Sequence, residues 1–157
     1  MASAVSTTHF IDNNLLEMWD HDPGSTSATV VTPDGGTTDR YVALRDYDGF
    51  VVAAMSSTLS GNGITLLEIV AAEDSSGTNA TQIKTSGTVA ADAVGDWVVE
   101  ECSAAEVNHV GKASGYDFTH VAGRITVQTA EDEAVVVYIR TGAKRATSGL
   151  TADTIAS

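Results

Sequence analysis

Four histidines, two acidic turns and one cysteine are the residues of this chain with chemistry to offer. His9, His21, His109 and His120 form no His-Glu-x-x-His helix and no other zinc spacing. His21 lies between Asp20 and Asp22, whose side chains diverge from it on an extended segment. A solvated loop histidine is therefore expected ahead of a metal ligand. His120 falls within a long strand-like run and reads as a surface or interface histidine. Asp46-Tyr47-Asp48-Gly49 sets two carboxylates two residues apart before a glycine, and Glu131-Asp132-Glu133 sets three in a row. Calcium takes about six to eight oxygens, which an EF-hand loop supplies at fixed spacing. Neither turn has that spacing, so ordinary exposed acidic turns are expected, with a calcium site pooled from several loops as the minority alternative. Cys102 reads as a small strand residue rather than a nucleophile, and as the only cysteine it allows no disulfide within the chain. There is no Gly-x-Ser-x-Gly elbow and no Gly-x-x-x-x-Gly-Lys-Ser/Thr phosphate loop. The residues thus assign no catalytic group, no metal ligand and no cofactor.

Composition narrows the classes further. The 157 residues fit one domain, and 43% hydrophobic residues suffice for a real core. Aromatics are only 6%, so Val, Ile, Leu and Ala must fill that core, which favours strands. Eight Lys and Arg against 21 Asp and Glu leave a net charge of −13. Such a surface repels phosphate backbones and anionic membranes, so neither nucleic acid nor membrane is an expected partner. It favours solubility and would suit a basic partner. The first eight residues have neither a basic nor an apolar signal region, and no secretory signal is expected. No apolar run is long enough to span a bilayer.

The elements that must position any site are short and extended. Residues 1–24 read as an N-terminal arm, 25–145 as the folded domain and 146–157 as a C-terminal tail, with both arms flexible. In the first arm, Phe10, Leu15, Leu16 and Trp19 suit either a short helical turn after Asp12 or Asn13, or an extended segment lying on a neighbour. Strand-like runs follow at Ala28–Thr32, Arg40–Leu44, Gly49–Ser56, Ile64–Ala71, Thr81–Lys84 and Trp97–Cys102. Gly49–Ser56 is apolar on both faces, as a buried strand would be. Gly61-Asn62-Gly63 predicts a hairpin between it and the next run. Phe118–Gln128 and Ala134–Arg140 predict a second, long hairpin across the acidic turn at 129–133, with Val135, Val137 and Ile139 on one face. Ser103–Gly111 is ambiguous between a helical turn and a strand end. Many short strands, punctuated by turns and without a long amphipathic helix, indicate an all-β antiparallel sandwich, jelly-roll or immunoglobulin-like.

Three stretches in this order carry a resemblance: DYDGFVVAAMSSTLSGNGITLLEIVAAEDSSGTNATQI, then VGDWVVEECSAAEV, then HVAGRITVQTAEDEAVVVYIRTGAKRA. From about Tyr41 to Arg145 the chain resembles the small β-sandwich structural proteins of tailed phages and prophages. The resemblance implies a virion component made in the bacterial host cytoplasm, of the capsid decoration or cement type. Its partner would be the major capsid protein or another virion protein, with self-association, for example as a trimer. A tail-associated structural protein is the neighbouring alternative. A carbohydrate- or calcium-binding sandwich module is the alternative from another class, since Trp19, Trp97, Tyr41, Tyr47 and Tyr116 could stack on sugars. The expected interaction residues are Phe10, Leu15, Leu16 and Trp19 in the arm, and the basic cluster Arg140, Lys144 and Arg145.

Overall fold

The computed structural model describes residues 14–32 and 36–144. Among these residues, nine strands and one helix run in the order β1 (Leu15–His21), β2 (Thr29–Val30), β3 (Val42–Ala43), β4 (Gly49–Thr58), β5 (Ile64–Ala72), β6 (Thr81–Thr85), β7 (Trp97–Ser103), α1 (Ala104–Ser114), β8 (His120–Val127) and β9 (Glu133–Thr141). They form two antiparallel sheets. Sheet A has the order β1-β9-β4-β7; sheet B has the order β2-β8-β5-β6, with β3 also on β8. The protein is an all-β sandwich.

Its core is aliphatic, as the low aromatic content requires. Phe50, Val52 and Ala54 of β4 and Ala134, Val136 and Tyr138 of β9 face inward from sheet A. They meet Leu67, Ile69 and Ala71 of β5 and Val121, Ile125 and Val127 of β8. Tyr138 joins the layers. Its ring stands edge-on to Trp19 and to Phe50, each at 4.9 Å between centroids. Its hydroxyl accepts a 2.7 Å hydrogen bond from the Gly123 N–H in sheet B. A Cβ on Gly123 would lie 2.8 Å from Val52 Cγ2, so only glycine lets β8 approach this closely.

Two expected hairpins are not hairpins. β4 and β5, and likewise β8 and β9, are consecutive strands that lie in different sheets. Each pair is an arch over the edge of the core. The apolar content of both strands in each pair satisfies either arrangement, and the burial of both inner faces is what selects the arch. The two arches meet at one end, where Asp132 binds them together. Its Oδ1 accepts from the N–H groups of Ser60 (2.6 Å) and Gly61 (2.8 Å), and its Oδ2 from Gly63 (3.1 Å) and Thr129 (3.0 Å).

The segment expected as an N-terminal arm contributes a strand. β1 pairs with β9 over seven residues, Leu15↔Arg140 to His21↔Ala134. The ambiguous stretch after β7 is an 11-residue helix. Ser103 and Glu106 form its capping box, and Gly115 closes it in the left-handed conformation.

Candidate interaction surface

Alternation along the strands sends every second side chain of sheet A away from the core. On β1 these are Leu16, Met18 and Asp20; on β7 they are Trp97, Val99 and Glu101. Between them β9 presents Val135, Val137 and Ile139, and β4 presents Val51, Ala53 and Met55. The register aligns them into three rows: Leu16–Ile139–Val51–Glu101, Met18–Val137–Ala53–Val99 and Asp20–Val135–Met55–Trp97. Three rows over four strands give twelve positions, ten of them apolar. The two carboxylates stand at diagonally opposite corners.

The edges of this face are exposed, and the apolar residues of its central strands β4 and β9 are half-buried. Met18 is 64% exposed, Val99 56%, and Leu16 and Trp97 51% each. A patch of this kind has the size of the largest apolar patch on an ordinary monomer, and such patches are often functional. Covering each large side chain would contribute on the order of 1–2 kcal/mol. The face is therefore chemically equipped for association with another apolar surface.

The expected interaction residues divide between this face and the interior. Leu16 is on the face. Leu15 and Trp19 point the other way and pack against the core. Arg140 is an internal strut: its Nη1 donates to the Ala43 carbonyl and its Nη2 to Glu17 Oε2, each at 3.0 Å. Its guanidinium lies 5.0 Å from the Tyr47 ring, and its side chain is only 13% exposed. Lys144 is at the surface, donating to the Arg45 carbonyl and 3.9 Å from Asp48. Phe10 and Arg145 lie outside the described residues. Sequence reading missed Met18, Met55, Val99 and the outward residues of β9 as surface groups. The available signal was that β4 and β9 are apolar at consecutive positions, which marks a strand covered on both faces.

Three of the polar groups that could have done chemistry, His21, Asp132 and Cys102, are part of the fold's interior. His21, expected in a solvated loop, is buried at the end of β1. Its Nδ1 accepts from the Thr32 N–H at 3.1 Å, and its Nε2 lies 3.3 Å from Thr29 Oγ1. Burial pushes its pKa below the ordinary imidazole value, against smaller opposing contributions from Thr32, Asp22 and Asp39. The acidic run at 131–133 is split. Burial opposes the charge on Asp132, but hydrogen bonds from Gly61, Ser60 and Thr129 outweigh it and hold the carboxyl at about 2. Glu133 accepts from the Thr58 hydroxyl at 2.7 Å instead. Cys102 faces the core, and burial raises its thiol to about 12, so it stays protonated. No group of three or more His, Cys, Asp or Glu that could hold a metal occurs among the described residues. No helix among them is long and apolar enough to cross a membrane. Of the aromatic candidates for stacking, Tyr41 and Tyr47 are buried, and Trp97 belongs to the apolar face.

No family model and no curated protein matches the chain. One solved structure, from "Bacillus endospore appendages form a novel family of disulfide-linked pili", is similar over 83% of this chain and 87% of that one. The identity is 13% and the TM-score 0.31, a likeness too slight to carry an inference.

Proposed function

We propose that this protein is a structural subunit that works by docking, and specifically a virion structural protein of a tailed phage or prophage, of the capsid decoration or cement kind. One observation carries the docking part: ten apolar side chains stand in register on the outer face of sheet A, with Leu16, Met18, Trp97 and Val99 exposed at its edges and the six of β4 and β9 half-buried between them. A rigid sandwich with one such face adds contact area to an assembly and needs no catalytic group. The virion part is supported by the sequence resemblance between Tyr41 and Arg145. The acidic surface suits this role, because free copies remain soluble and are kept away from packaged DNA.

Mass spectrometry and electron cryo-microscopy of purified particles from the encoding phage or prophage test the reading. The protein is expected in stoichiometric amounts, with density for the outer face of sheet A against a neighbouring subunit. Its absence from the particles removes the virion reading. Its presence with that face turned to solvent removes the assignment of the face.

A further inference from the structure

Resting on the reading of the chain as an assembly subunit, we propose that the outer face of sheet A pairs with the same face of a second copy. The two molecules would be related by a two-fold axis lying in the plane between the sheets. Four observations favour a copy over a different protein. Ten of the twelve positions are apolar and charge is confined to two corners, as in the centre of an interface rather than its rim. The face carries no cation to recognise an acidic partner. Its two carboxylates, Asp20 and Glu101, sit at opposite corners rather than gathered to meet a basic one. Finally, pairing gives sheet A a cover on both sides, the environment for which β4 and β9 are composed.

The corner charges are compatible with this symmetry. With the axis along the strands, Asp20 faces Trp97 of the second copy and Glu101 faces its Leu16. With the axis across the strands, the two pairings exchange. In neither case does carboxylate meet carboxylate, and each stays at the rim in contact with water. Sheets pack about 10 Å apart with their strands within about 30° of alignment, which both orientations allow. The footprint, about 19 Å by 20 Å from strand and residue spacings, is about 380 Å² per copy, below the roughly 800 Å² per partner of a standard interface and in the range of weak, transient association. Pairing is therefore expected to be weak and to need a high protein concentration. Each copy brings a net charge of −13, so salt should strengthen pairing by screening the repulsion. Docking on a basic partner would show the opposite salt dependence.

Sedimentation velocity of the full chain over a wide concentration range, at low and high salt, tests the proposal. The mass should rise from one chain to two, at lower concentration in high salt. The double variant Met18→Lys, Val99→Lys should stay single, weakening association by more than about tenfold. Both side chains are exposed, so the fold should survive, as a thermal melt would verify. Methyl NMR of the unaltered protein gives a readout that needs no variant. The ε-methyl signals of Met18 and Met55 should shift with concentration. A single-chain mass throughout, with no methyl shift, overturns the proposal. So does an association that the double variant leaves intact, or one that salt weakens. A paired chain missing from virions would leave the pairing standing and remove the virion reading; a single chain found in virions would do the reverse.

Discussion

The outer faces of the two sheets are both rich in apolar residues, but the chain treats them differently. On sheet B, Val70, Ala72 and Ala122 point outward and are nevertheless buried, because Tyr41 from the connection between β2 and β3 lies over them. Gly77 in the β5–β6 loop presses on the same ring; a Cβ there would lie 2.7 Å from Tyr41 Cε2. The charged positions on this face form an ion pair, Arg124 Nε to Glu68 Oε2 at 2.7 Å. Sheet A has no such cover among the described residues, and its two acids have no cation beside them on the face. The same outward apolar residue is thus a second core on sheet B and a partly exposed surface on sheet A. An apolar outer face is informative only once the rest of the chain has been asked to cover it.

Three substitutions bear on that contrast, in decreasing order of expected effect. The largest concerns the clasp shared by both sheets. Asp132→Ala leaves four N–H groups of the two arches without their acceptor and should lower stability by about 3 kcal/mol or more. Urea melts would measure it. The pH dependence has a definite sign. The native carboxyl titrates at about 2, below its unfolded value, so its contribution is complete above about pH 4 and is lost as pH falls through about 2. The gap between the native protein and Asp132→Asn should therefore shrink over that window. A gap that persists at low pH would show that the charge is not what matters.

Next comes the covered face. Val70→Asp places a carboxylate beneath Tyr41 and should cost about 2–4 kcal/mol by thermal or urea melting. The smallest effect is expected on the outer face of sheet A. Val99→Ser alters a half-exposed residue and should change the stability of the single chain by no more than about 0.5 kcal/mol. If Val70→Asp were tolerated as well as Val99→Ser, the two faces would not differ as described.

Much of this fold could be read from the residues, but not the way its parts connect. Strand positions followed from β-branched runs and turn residues, as with the run Trp97–Cys102, which is β7. Whether consecutive strands pair or arch was not readable, because Gly61-Asn62-Gly63 serves both. Only the distant carboxylate of Asp132 settles the turn. α1 was marked by Ser103, Glu106 and Gly115, a capping box and a left-handed stop, yet its short apolar content hid it. The interaction face was hidden for a different reason. In β9, Ala134, Val136 and Tyr138 alternate with Val135, Val137 and Ile139, and composition cannot tell which set points inward. The volume of Tyr138 and its bond to Gly123 decide it.

The central claim is that the outer face of sheet A is occupied when the protein does its work. Hydroxyl-radical oxidation of Met18 and Trp97, followed residue by residue in the full chain, tests it most directly. At a concentration where the chain is associated, both should oxidise several-fold more slowly than in Val99→Lys at the same concentration. Equal rates, as their 64% and 51% exposure in the single chain would give, would contradict it.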